Sequence, residues 1–308
     1  MKLLVPILLA ALLLDAQAQT TAPPPSPAAS APQVVALVAA IGDRFEVVRQ
    51  RTQVGSNIEP FTRRVIQVPN QALNYAVLRG LDQAVADAEP QSKRVLLQWT
   101  MPADLADRLE KTSGQYRQAL VLDALVPYMR SLPQRQGWDR IEVLVPAYIY
   151  TPMKGMGTRL SGIGVYIQPL INMKINIGDI NDNDVAFTEA EGDFRTVNPN
   201  TGETAKSSVY VAPYMYFERL TYDAKTLELI KRQRYFSNTK FADPMSTALD
   251  VGDQMSPVQT MGKLMETVEK AAYRSVRPLT GDVKVTVPVP LYPTASSAPA
   301  GALGSGSK

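Results

Sequence analysis

The 308-residue sequence contains neither histidine nor cysteine. Without histidine, a Ser-His-Asp triad, His-ligated zinc and imidazole acid–base chemistry are excluded within the chain. Without cysteine there are no disulfides, thiol nucleophiles, iron–sulfur ligands or thiolate zinc sites. Charge of one sign is also scarce. The 32 Lys+Arg residues against 29 Asp+Glu leave a formal +3, too little to point to a nucleic-acid partner. Long apolar runs are scarce as well: residues 3–14 form one of twelve, against the ~20 that span a bilayer.

What is present begins with that run. Lys2 precedes it and Ala16-Gln17-Ala18 follows it, the order of a secretory signal peptide over residues 1–18 with cleavage before Gln19. A lipoprotein signal requires a cysteine at that point, so no lipid anchor is expected, and no transmembrane span. Residues 19–32 are rich in Pro and Ala and predict an extended linker. Residues 288–308 carry Pro, Ala, Ser and Gly and predict a disordered tail. Between them, residues 33–287 are long enough for one large core without disulfides. The expected location is periplasmic or secreted.

Within that span, periodicity predicts an α/β domain: a mixed, mostly parallel sheet flanked by helices, with antiparallel hairpins in the second half. Val34–Ile41 reads as a doubly covered strand. Gly42-Asp43 then predicts a turn into a strand over Phe45–Arg51, an early hairpin. Arg63–Val68 is a third strand. Asn70 is placed to cap a helix whose Leu73, Val77, Leu81, Ala84 and Val85 share one face. Gly80 inside that helix suggests close packing on the sheet. Val95–Trp99 and Ile141–Val145 are strands. Between them lies a helical stretch, Ala103–Leu132, with Thr100 as its cap and with a break or a kink expected at Thr112-Ser113-Gly114 and at Pro127. Pro146 predicts a bulge or a change of neighbour. Farther on, Ile163–Ile167 and Ile171–Ile177 are strands, and Val209–Tyr222 and Leu227–Phe236 form a hairpin around Asp223-Ala224-Lys225-Thr226. A last helix starts at Ser256-Pro257, with Val258, Met261, Leu264, Met265, Val268, Ala271 and Ala272 on one face.

Four stretches carry candidate chemistry. Asp179, Asn181 and Asn183 stand at the first, third and fifth positions of a calcium loop. Asp184 and Ala190 stand where such loops carry Gly and Glu. Calcium is therefore the one cofactor left open, against a solvated Asx-rich turn. Lys154, Gly155, Gly157 and Arg159 form a candidate anion cradle, although a strand rather than a helix follows and the spacing is not that of a P-loop. Ile41-Gly42-Asp43-Arg44-Phe45 sits where GDS-type esterases hold their serine, but Arg44 occupies the serine position and no histidine exists to serve it. Lys231, Arg232 and Arg234 make a basic strand that suits an acidic partner, or simply protects a sheet edge.

Three segments together, Ile41–Val48, Ser161–Ile167 and Val211–Phe217, resemble a family of uncharacterised exported proteins of proteobacteria. That likeness implies export and brings no activity with it. Separately, Tyr222-Asp223-Ala224-Lys225-Thr226 between long strands, followed by a C-terminal helix, is similar to envelope-assembly lipoproteins of the curli-secretion type, whose lipidated cysteine this chain lacks. The leading expectation is a non-enzymatic envelope binding or assembly module that contacts protein or glycan. The alternatives are a periplasmic hydrolase that uses carboxylates or a metal, and a calcium-stabilised secreted protein.

Overall fold

The computed structural model describes residues 32–51, 61–150, 156–169, 195–243, 245–246, 248 and 250–276. Their elements are β1 (Val34–Ala39), β2 (Arg44–Gln50), β3 (Phe61–Gln67), α1 (Ala72–Ala88), β4 (Lys93–Leu97), α2 (Ala103–Lys111), α3 (Gly114–Ser131), β5 (Arg140–Pro146), β6 (Ile163–Gln168), β7 (Arg195–Val197), β8 (Thr204–Lys206), β9 (Tyr210–Asp223), β10 (Leu229–Asn238) and α4 (Pro257–Val276). Among the described residues, no helix is long and apolar enough to cross a membrane.

The sheet is organised by β9, a strand of 14 residues. Its first half pairs with β6 and its second half with β5, both antiparallel. The handover occurs at Tyr216, whose N–H donates to the Gly162 carbonyl and whose carbonyl accepts from Ala147 N–H. Both bonds leave one edge of β9, and β10 occupies the other. β5 and β6 therefore run end to end in one direction. β1 lies parallel to β5, and β2 lies parallel to β6, so β1 and β2 are also end to end. β4 completes the first half in parallel, and β3 completes the second antiparallel. The sheet is forked, with two half-sheets borne side by side on one long ribbon.

This arrangement corrects two expectations. The sheet is mixed and helix-flanked but not mostly parallel. Within it three pairings are parallel (β1–β4, β1–β5, β2–β6) and four are antiparallel (β2–β3, β5–β9, β6–β9, β9–β10); β7 and β8 form a separate antiparallel pair. The cause is that β9 opposes both half-sheets. The early hairpin does not form either. Gly42 turns the chain at φ +88°, and the buried Asn74 side chain accepts from Ile41 N (2.9 Å) and Gly42 N (3.3 Å). The chain steps from one half-sheet to the other instead of folding back, and β2 finds its antiparallel partner in β3.

One face of the sheet is covered by α1 and α4, which bury Leu73, Val77, Leu81 and Val85 with Leu264, Val268 and Ala271 against Leu37, Val165, Met215 and Phe217. The close approach at Gly80 is to α4 and not to the sheet: a Cβ there would lie 2.1 Å from the Glu269 carbonyl oxygen. On the other face, α2 and α3 cover β1 and β5 through Leu105, Leu109, Val121, Leu125 and Met129. Beside them, Tyr166, Tyr210, Tyr214 and Tyr216 with Phe61 and Phe236 make an aromatic layer over β2, β6 and β9.

Helix ends follow local chemistry. Ser256 and Gln259 cap α4 reciprocally, Gln259 N to Ser256 Oγ at 3.2 Å and Ser256 N to Gln259 Oε1 at 3.0 Å. Val258, assigned to its apolar face, is exposed. Asn70 does not cap α1, because it and Gln71 adopt positive φ ahead of the helix. Nor does Thr100 cap α2, since its hydroxyl accepts from Gln71 Nε2 at 2.7 Å. The break at Thr112–Ser113 is present, but α3 runs through Pro127 to Ser131.

Candidate functional site

The fork leaves a cleft of roughly 750 Å³ when the open solvent at its mouth is counted. The ends of all three parallel strands of the first half contribute to it: Ile41, Gly42 and Asp43 after β1, Met101 after β4, and Pro146 and Tyr148 at the end of β5. Open α/β sheets bind ligands in the crevice at such carboxyl ends. Arg44, Glu46, Val65, Ser161, Gly162 and Ile163 come from the second half, while Leu109 and Glu110 of α2 and Arg117 of α3 close one side.

Two glycines shape the wall. Gly42 turns beneath Met101, whose Cε lies 3.0 Å from where a Cβ would stand. Gly162, at φ +66°, lies against the Tyr148 ring, where a Cβ would stand 3.3 Å from Cε1. A side chain at either position would need the left-handed region and would enter the cleft wall.

Most charges around the cleft are already committed. Arg44 pairs with Glu110 across it and lies 4.0 Å from Asp43. Glu46 pairs with Arg63 at 3.1 Å. Arg117 differs. Its Nε donates to the Thr112 carbonyl at 2.9 Å, and its guanidinium sits 5.6 Å from the centre of the Tyr148 ring, but its two terminal amino groups have no acceptor among the described residues. Burial pushes the Tyr148 hydroxyl up to about 12, partly offset by the Arg117 charge, so Tyr148 meets a ligand as a neutral donor. Among the described residues no group of three or more carboxylates converges as a metal would require.

The residues singled out by sequence fall elsewhere, with one exception. The turn Ile41–Phe45 lines the cleft. Of the anion-cradle set, Gly157 and Arg159 lie in a short 3-10 turn, Met156–Arg159. The Arg159 guanidinium covers the Phe61 ring at 5.1 Å. Lys154 and Gly155 lie outside the described residues, as do Asp179, Asn181 and Asn183, the strand Ile171–Ile177, the leader, the linker and the tail.

On β10, Lys231 is exposed, whereas Arg232 Nε (2.5 Å) and Arg234 Nη2 (2.9 Å) reach Glu218, only 1% exposed. Gln118 of α3 donates to the same carboxylate. A second buried carboxylate, Glu142, is 2% exposed and accepts from Arg219 (2.9 Å), Arg140 (3.0 Å) and Thr221 (2.9 Å). Burial alone would raise the Glu142 carboxyl. The two guanidinium groups and the hydroxyl outweigh it and hold it below the usual carboxylate range. Arg219 also reaches the Ser275 carbonyl at 2.8 Å, tying this network to the last turn of α4.

Sequence reasoning missed Met101, Glu110, Arg117 and Tyr148. They are spread over three chain segments and converge only through the order of the strands. Compared with protein-family models and with curated proteins, the chain matches none.

Proposed function

We propose that this chain is an exported, non-enzymatic binding module of the bacterial envelope, and that the cleft at the fork of its sheet takes a glycan. The observation that carries the reading is the cleft's lining. Tyr148 supplies a neutral hydroxyl donor, Asp43 and Ser161 supply groups for sugar hydroxyls, and Met101 and Leu109 supply apolar wall. Two exposed tyrosines stand within two residues of it in sequence, Tyr116 (59%) next to Arg117 and Tyr150 (56%) after Tyr148. Aromatic faces combined with a few polar groups suit a ring that is apolar on its faces and polar at its rim. The leader-like first 18 residues and the absence of cysteine favour an exported location without a lipid anchor.

Catalysis is the weaker reading, because Glu46 and Glu110 are each engaged by an arginine. The test is calorimetric titration of the purified chain with a panel of neutral and acidic oligosaccharides. At least one should bind with a Kd of roughly 10⁻⁵–10⁻³ M, about −4 to −7 kcal/mol. Tyr148→Ala, with its fold verified by circular dichroism, should weaken that binding at least tenfold. Failure of every glycan at millimolar concentration, or indifference to Tyr148→Ala, removes the reading.

A further inference from the structure

Resting on the glycan reading, we infer that the bound sugar carries a carboxylate and that Arg117 is the group that grips it. Two cations, Arg44 and Arg117, and three carboxylates, Asp43, Glu46 and Glu110, line the cleft. Arg44 is matched by Glu110, and Glu46 by Arg63 from outside the lining, which among the described residues leaves Arg117 without an ionic partner and Asp43 loosely held, 4.0 Å from Arg44 and 3.4 Å from Gln67 Nε2. Arg117 is also fixed from behind. Its Nε is spent on the Thr112 carbonyl and its Cζ lies 5.6 Å from the centre of the Tyr148 ring, while Nη1 and Nη2 remain for an acceptor. A guanidinium held this way presents two parallel N–H donors, the spacing of one carboxylate, with little left to order on binding.

The surroundings decide between anions. A doubly charged phosphate would find one uncommitted cation and would meet Asp43, Glu46 and Glu110 across the same cleft. A singly charged carboxylate is neutralised by Arg117 alone. The sugar hydroxyls then fall to groups that accept or share protons, Asp43 and Ser161, while the Tyr148 hydroxyl donates. The ligand class is an acidic saccharide, with uronic-acid chemistry rather than a sugar phosphate.

The experiment titrates the full chain with trigalacturonate, the matching neutral trigalactoside and galactose 6-phosphate, using wild type, Arg117→Ala and Arg117→Lys. The acid trimer should bind at least tenfold tighter than the neutral one, and its affinity should fall as salt rises. Arg117→Ala should bring the two trimers to within about twofold. Arg117→Lys should retain the salt dependence but lose most of the preference, because an ammonium cannot make the paired contact. Should Arg117→Ala fail to fold, the wild-type preference and its salt dependence decide alone. Equal binding of both trimers, or a preference unchanged in the folded Arg117 variants, overturns the inference and leaves the glycan reading standing. Tighter binding of the sugar phosphate overturns the carboxylate assignment. Binding of neither trimer while another oligosaccharide of the panel binds overturns the inference alone, and failure of the whole panel removes the reading beneath it as well.

Discussion

Two glycines, both in helices of one layer, should respond to alanine with opposite signs. In α1, Gly80 sits where that helix crosses α4, and a Cβ there would stand 2.1 Å from the Glu269 carbonyl oxygen and 2.9 Å from its carbon. Both obstacles are backbone, so no side chain can swing away. Restoring an ordinary contact requires the helices to separate by about 1 Å. Gaps of 0.5–1 Å forfeit roughly a quarter to a half of the dispersion well at each contact, and overpacking in a dense interior costs about 1–3 kcal/mol or more. Helix propensity pulls the other way, by about 1 kcal/mol in favour of alanine. The steric cost wins because the separation is shared by Leu264, Val268, Ala271 and Ala272, all buried at that layer. Gly80→Ala should therefore destabilise by about 2 kcal/mol net. Gly262, within α4, has nothing within 4 Å of its Cβ position, so Gly262→Ala should stabilise by up to about 1 kcal/mol. Urea denaturation monitored by circular dichroism measures both. The midpoint should fall in one variant and rise in the other with the slope unchanged. A neutral or stabilised Gly80→Ala would refute the reasoning, because propensity alone would then govern both sites.

Further outcomes follow from the buried polar groups. Glu142→Gln should cost about 3–5 kcal/mol near neutral pH, since Arg140 and Arg219 lose their counter-charge in a buried setting. Because the folded carboxyl lies below its unfolded value, its contribution is complete above about pH 4.5 and is lost as the pH falls through the folded value. Melting temperatures from pH 7 to 3 should thus fall more steeply in wild type than in Glu142→Gln, and parallel profiles would contradict the network. Tyr214→Phe should leave stability unchanged or raise it by about 1–2 kcal/mol, because it deletes a buried hydroxyl that has no hydrogen-bond partner; a loss beyond 1 kcal/mol would expose a missed partner. On β10, Arg234→Ala should cost about 2–3 kcal/mol by uncovering Glu218, whereas exposed Lys231→Ala should stay within about 0.5 kcal/mol in the same denaturation assay.

Periodicity made the elements legible. The apolar face of α1, the long strands around Asp223–Thr226 and the Ser256–Pro257 start of α4 all stand where their spacing places them. At Pro146 β5 ends, still paired with Phe217, and it is β9 that changes neighbour beside it, from β5 to β6. Partners were not legible. Alternation says which side of a strand is buried and leaves open which strand lies next to it, so the stretch after Gly42 read as a hairpin return. Glu142 and Glu218 carried a signal that went unused: each interrupts an apolar strand, and a charge there must find a buried partner. The cleft had no linear signal beyond the turn at Ile41–Phe45, because its other polar residues meet only through the crossovers over β1.

The fork also sets an order of events. Among the described residues the two half-sheets share no ladder with each other and are joined side by side only through β9. Residues 34–168 thus contain six of the eight sheet strands, yet cannot complete either half until residues 210–223 arrive. Such late, long-range closure slows folding. While β9 is missing, the edges of β5 and β6 that it covers stay unpaired, which is the condition in which strands pair wrongly. The same strand that creates the cleft makes folding wait for the last third of the chain.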